Sequence, residues 1–240
     1  MKRSQKLIGP YPVCSVYKSS ARDETASTND LIAVCPKRFM VSQFLNDVIE
    51  HCWVGQKPER PQFVKEVKMS DFGTVDFVIA DVDDAGTAVR EFVSVELQAI
   101  DITGSYEPAY TALLKGEMLR KRPTFGFNWA NVRKRYITQL IHKGFFHHQW
   151  GTRVVSVLQD HVFENFQAYF RFRAISIAEA DIVFMVYRYK ETLESGEKQL
   201  HLELCNTIGV SHSDLMMQVL YRQTPPKQDF CKRIIDRLSS

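Results

Sequence analysis

The stretch Arg90–Tyr106, "REFVSVELQAIDITGSY", decides how this chain is read. Phe92, Val93, Val95, Leu97 and Ile100 are strand formers, yet Glu96 and Gln98 interrupt them, and both are costly to bury without partners. Side chains alternate along a strand, so Glu96 and Gln98 share one face while Val95, Leu97 and Ala99 take the other. Upstream, "TVDFVIADV" at 74–82 is interrupted in the same way by Asp76. A hairpin of these two runs sets Asp76 near Glu96. Two neighbouring ionised carboxylates repel unless a proton or a cation lies between them, and hard oxygen donors of this kind suit Mg2+.

Outward from this pair, "QFVKEVKM" at 62–69 supplies a third strand-like run, with turn-rich "SDFG" and "DDAG" between the runs, so an antiparallel meander is expected. Before it, "FMVSQFLNDVIEHC" at 39–52 places apolar residues at 40, 41, 44, 45, 48, 49 and 52, the period of an amphipathic helix. After it, "NWANVRKRYITQLIHKGFF" at 128–146 reads as a long helix with Val132, Tyr136, Leu140 and Gly144 along one side, followed by a buried strand, "RVVSVLQ", at 153–159. "DIVFMVYRY" and "KQLHLELC" predict a hairpin around "ESGE", and two C-terminal helices straddle Pro225 and Pro226. The expected fold class is α/β, a mixed β-sheet flanked by helices. Residues 1–36 are loop-like, with the polar run "KSSARDETASTND". The expected division is therefore an N-terminal arm at 1–38 and a main domain at 39–240.

With 240 residues, 45% of them apolar and 25% charged, the composition is that of a soluble globular protein rather than a disordered or fibrous one. A net charge of +3 does not select a partner, so the location of the basic residues matters more than their number. They gather in "LLKGEMLRKRPTFGFNWANVRKR", where Lys115, Arg120, Lys121, Arg122, Arg133, Lys134 and Arg135 surround Phe125, Phe127 and Trp129. Such a patch can neutralise DNA phosphates, the alternative being a solvated loop and helix face. The longest apolar stretch, "ADIVFMVY", is too short to span a bilayer, and the N-terminus lacks the apolar run of a signal peptide, so a cytoplasmic protein with no membrane partner is expected. The five cysteines are scattered and contain no C-x-x-C pair. His142, His147 and His148 lack the Asn and the spacing of a ββα-metal nuclease and are assigned no ligand role.

An Asp followed, after residues 77–95, by Glu-x-Gln resembles the PD-(D/E)XK nuclease core, with Gln98 where that family usually has Lys. "VELQAIDITGSYEPA" resembles the E-I-Q…D…G-S-Y block of the restriction endonucleases typified by NotI, and "NVRKRYITQLIHK" is similar to the helix that follows it there. "AVCPKRF" at 33–39 and "VCSV" at 13–16 resemble two further blocks, and all occur in the family's order. The resemblance implies a type II restriction endonuclease that uses Mg2+ to hydrolyse double-stranded DNA, leaving 5′-phosphate and 3′-hydroxyl ends. It makes Asp76 and Glu96 metal ligands, Gln98 the third catalytic residue, and Gln139 and Lys143 supports of the site. Relatives with an N-terminal iron site use four cysteines. Only Cys14 and Cys35 match that pattern, leaving them as a remnant for which a metal-free role is expected, and with it a protein lacking stoichiometric iron or zinc. One catalytic constellation per chain, against two strands to cut, suggests a homodimer on a palindromic site. The carboxylates alone fit equally a DNA repair or junction-resolving nuclease of the same superfamily, and the basic patch alone fits a non-catalytic DNA-binding module.

Overall fold

The computed structural model describes residues 13–18, 28–70, 73–104, 107–118, 126–194, 197–221 and 225–238. Its first elements are short: β1 (Ser15–Tyr17) pairs antiparallel with β2 (Leu31–Ala33), and a 3-10 turn over Pro36–Val41 leads into α1 (Phe44–Cys52). The sequence reads as loop-like over residues 1–36. Within it Leu31–Cys35 are buried, and Gln159 supplies the hydrogen bonds that an interior backbone requires. Its Oε1 accepts from Ala33 N (2.9 Å) and its Nε2 donates to Leu31 O (2.7 Å). The single helix expected from Phe39 is broken because Ser42 bonds the Phe39 carbonyl with both its hydroxyl and its backbone N–H, closing the 3-10 turn before α1 begins.

The meander is as expected: β3 (Gln62–Lys68), β4 (Thr74–Val82) and β5 (Val89–Gln98) pair antiparallel in sequence. Then follow β6 (Ile102–Thr103), α2 (Glu107–Lys115), β7 (Gly126–Phe127) paired to β6, and a helical rod made of α3 (Trp129–Asn131), a π-helical turn (Val132–Tyr136) and α4 (Ile137–Gln149). The remaining elements are β8 (Val154–Gln159), α5 (Asp160–Tyr169), the long hairpin β9 (Ile182–Glu194) and β10 (Glu197–Val210), α6 (His212–Leu220) and α7 (Lys227–Leu238).

Six strands form one mixed sheet in the order β10-β9-β8-β5-β4-β3, parallel only at β5·β8 and β8·β9. The rod carries the first parallel crossover and α5 the second. β8 is buried along its whole length, as a central parallel strand covered on both faces must be. One face packs Phe39, Phe44, Val48 and Cys52 against Phe77, Val93, Val95 and Tyr187. The other packs Tyr136, Ile137, Leu140, Val162 and Phe166 against Val154, Leu158 and Phe184. This is a mixed α/β fold, a sheet between helices. Toward β3, on the second face, an apolar groove of about 880 Å3 opens between Val64, Val78, Phe92, Phe146 and Trp150. Among the described residues no helix is long and apolar enough to cross a membrane.

Candidate active site

The β4–β5 register pairs Phe77 with Val95, so one further step toward the end of β5 sets Asp76 across from Glu96. Phe77 and Val95 point into the α1 core, which sends the two acids to the face covered by α4. There they meet Lys143. This lysine is buried on α4, and its Nζ donates both to Glu96 Oε1 and to Thr74 O, the latter at 2.9 Å. Thr74 begins the strand that carries Asp76, so one ammonium ties both strands to the helix.

Glu96 is buried, and burial raises its carboxyl to about 7. Lys143 pulls it down by charge and hydrogen bond, and Asp76 adds a like charge that pushes it back up. The desolvation of Glu96 is thus only partly offset by its own partner, and a second cation beside Asp76 would favour the ionised form. Asp76 is half-buried, and its Oδ2 accepts from Leu97 N (2.8 Å). It also lines a groove of about 460 Å3 with Lys37, Lys65, Glu66 and Leu97. Glu66 has φ +54°, a left-handed conformation rare for a side chain of its size, at the position of β3 that faces Asp76.

Gln98 closes β5 on the same face as Glu96, and its Nε2 donates to Ala99 O, which leaves Oε1 as its remaining acceptor. Gln139 lies one helical turn before Lys143 but is exposed, so of the two helix residues only Lys143 reaches the carboxylates. Around them is a neutral polar shell. Tyr136, at the end of the π turn, is bonded to Ser156 of β8, the residue paired with Glu96, and burial keeps its hydroxyl protonated. His147 Nδ1 donates to Lys143 O (2.6 Å), and its Nε2 accepts from Ser94 Oγ (2.7 Å). Burial holds this imidazole neutral by lowering its pKa to about 4. Sequence periodicity gave no sign of the Tyr136–Ser156 and His147–Ser94 contacts.

The basic residues separate into distinct groups. Lys134 and Arg135 are exposed on the π turn. Arg133 is turned onto α5, its Nε donating to Asn165 Oδ1 (2.9 Å) and its guanidinium lying 4.4 Å from the Tyr169 ring centroid. Arg120, Lys121 and Arg122 lie outside the described residues.

Cys14 and Cys35 are brought together by the β1–β2 hairpin. The Cys14 thiol is raised by burial and by the adjacent Cys35 sulfur, with which it hydrogen-bonds. Cys52 belongs to the α1 core, and burial pushes its thiol up to about 12.

A family model described as restriction endonuclease NotI matches residues 3–200 of the chain. The chain belongs to the NotI restriction endonuclease family. No curated protein matches it. The NotI family match runs from the N-terminal segment through the meander, the rod and β8 into β10, so Asp76, Glu96, Gln98 and Lys143 all fall inside it. Membership makes this a restriction enzyme of type II, a hydrolase whose substrate is DNA.

Proposed function

We propose that the chain cuts both strands of a DNA duplex at a specific, palindromic site, with Asp76 and Glu96 as the ligands of a catalytic Mg2+ and a PD-(D/E)XK-type core around them. The supporting observation is the pairing of a half-buried and a buried carboxylate across β4 and β5, the first of them on the wall of a groove and the second raised to about 7 by burial and awaiting further positive charge. Asp76 on the groove and Glu96 buried behind it are two hard oxygen donors, a set that fits an ion which keeps several waters and accepts a phosphate oxygen.

When bound, Mg2+ supplies charge for the phosphorane-like transition state and lowers the pKa of a water molecule. The protein's own residues do the rest. Lys143 holds Glu96 in place and favours its ionised form, supplying from α4 the cation that the motif lacks with Gln98 in place of lysine. Gln98 Oε1 accepts a hydrogen bond from the attacking water and turns its lone pair toward phosphorus, in line with the leaving 3′ oxygen. The phosphate keeps the attacking oxygen, so the products carry 5′-phosphate and 3′-hydroxyl ends. Gln139 faces solvent one turn before Lys143 on α4, where an amide can meet a neighbouring phosphate. Lys134 and Arg135, with Arg120, Lys121 and Arg122, neutralise further phosphates, which fixes register without reading sequence. A homodimer supplies the second site for the second strand.

Digestion of a DNA of known sequence with and without Mg2+, followed by mapping of the ends, tests this reading. Discrete fragments with one end sequence support it. Ragged or structure-dependent cutting selects a repair nuclease, and binding without cutting selects a non-catalytic module.

A further inference from the structure

At the far end of α4 from the rod's π turn, three side chains converge from three elements. His148 lies on the last turn of α4, Asp181 precedes β9, and His212 opens α6. His148 Nδ1 stands 2.7 Å from Asp181 Oδ1, and His212 Nδ1 stands 2.7 Å from Asp181 Oδ2. One potential donor atom from each lies within 4.8 Å of the others, and among the described residues no other set of three such side chains does so. His212 is beyond the residues matched by the family model, so the family match does not account for this cluster.

We propose that His148, Asp181 and His212 form a binding site for a divalent transition ion of the zinc type, distinct from the acidic pair on β4 and β5. Two imidazoles and one carboxylate are the donor set that zinc and its neighbours take, whereas Mg2+ selects oxygen. Bonds of ~2.1 Å in a tetrahedral shell put donor atoms roughly 3.4 Å apart, so an ion enters by opening the two short histidine–carboxylate contacts and drawing the two imidazoles together. The rings are already 5.0 Å apart, centroid to centroid. Each imidazole presents Nδ1 to the ion and keeps its proton on Nε2.

The surroundings hold the donors in place. Asp181 is buried, and its Oδ2 also accepts from His212 N (3.1 Å), which fixes the carboxylate before any ion arrives. The His212 ring packs edge-on against Phe145. Gly144 permits the approach: a methyl group there would stand 2.7 Å from Ile182 and 3.0 Å from the His212 Cβ, so any larger residue would push α4 off β9 and α6 and separate His148 from its partners. The His148 side chain is 54% exposed, so the fourth position opens to water. The bound ion ties α4 to β9 and α6 on the far side of the sheet from α1. Such a site replaces two expectations drawn from the sequence: a protein without stoichiometric zinc, which rested on the cysteines alone, and the absence of a ligand role for His148.

The test uses the untagged full chain, stripped with a chelator and titrated with Zn2+ by calorimetry, with Co2+ as a spectroscopic stand-in. We expect one equivalent bound, visible d–d absorption from Co2+ with nitrogen ligands, and a rise in Tm on Zn2+ addition. His148→Ala, at an exposed position that leaves the fold intact, should lower affinity roughly hundredfold and abolish the Tm rise, and His212→Ala should do the same. Glu96→Ala should leave all three readouts unchanged, which keeps this site separate from the acidic pair. The proposal is overturned if the wild-type chain binds no Zn2+ saturably, if His148→Ala binds it as the wild type does, or if binding is lost in Glu96→Ala.

Discussion

The α4 helix meets two carboxylates, and they respond in opposite ways. Glu96 touches Lys143 deep in the fold, and its carboxyl is raised. Asp181 touches His148 and His212 five residues further along, and although burial pushes its carboxyl up, the hydrogen bonds from His212 and His148 outweigh that and leave it lowered. An adjacent base therefore does not decide the direction. What decides it is how much water is lost against how many donors replace it. Glu96 has one ammonium, a neighbouring acid and almost no solvent. Asp181 has two ring donors, a backbone N–H and a half-exposed partner. The inner acid is left with an unmet demand for positive charge, and the outer acid is satisfied by its own protein.

The sharpest way to break this contrast is to remove the unmet demand. Asp76→Ala or Glu96→Ala should lower single-turnover cleavage by several orders of magnitude, since Mg2+ loses a ligand, while the far-ultraviolet spectrum stays that of the wild type. Near wild-type cutting by both variants would show that the acid pair is not the catalytic centre. Lys143→Met should come next, with cleavage reduced about a hundredfold at neutral pH and partly recovered at higher pH, because Glu96 without its ammonium ionises later still. A pH profile of kcat identical to the wild type would remove Lys143 from the site.

Stability against pH sharpens the same comparison. Glu96 has a folded pKa above its unfolded one, so without metal it stabilises the fold most below about 4.5, and that contribution is lost as pH rises toward about 7. His147, lowered to about 4, acts in the opposite sense: its contribution is present above its ordinary value of 6.5 and is lost as pH falls toward about 4. Denaturant midpoints measured from pH 4 to 8 should therefore flatten in different limbs for Glu96→Gln and for His147→Phe. Asp181→Asn should leave cleavage within a few-fold of wild type yet cost ~1–3 kcal/mol in urea, because an amide cannot accept from both rings and the His212 N–H. The smallest effect belongs to Lys134→Ala and Arg135→Ala, which touch neither carboxylate: DNA affinity should fall modestly, and the slope of log K against log salt should lose about 0.9 per charge removed.

How much of this was legible beforehand depends on how local the signal was. The meander, the hairpin of β9 and β10, and the facing of Asp76 and Glu96 follow from period-two patterning and turn residues, which are properties of neighbouring positions. Lys143 was visible as a helix residue and Gln139 as its partner, but only packing shows that α4 rolls Lys143 inward and leaves Gln139 in water. α5 went unread because β8 passes into it at Asp160 with no Gly or Pro between. The burial of β2 depends on Gln159, 126 residues away from Ala33, and the His148–Asp181–His212 cluster on contacts spanning 33 and 31 residues. No window of sequence contains such contacts.

The π turn at Val132–Tyr136 gives the rod a built-in phase offset. It holds one residue more than the α-helical turn it replaces, so the helix before it and the helix after it are out of step by about 100°. A single-codon deletion within 132–136 would restore an unbroken α-helix, and by the usual measures of helix quality it would be an improvement. It would also swing Trp129 and Asn128 away from Phe127 and Asp101, or else rotate Lys143 off Glu96. Among descendants of this gene, substitutions in that turn should therefore be tolerated far more often than any change in its length.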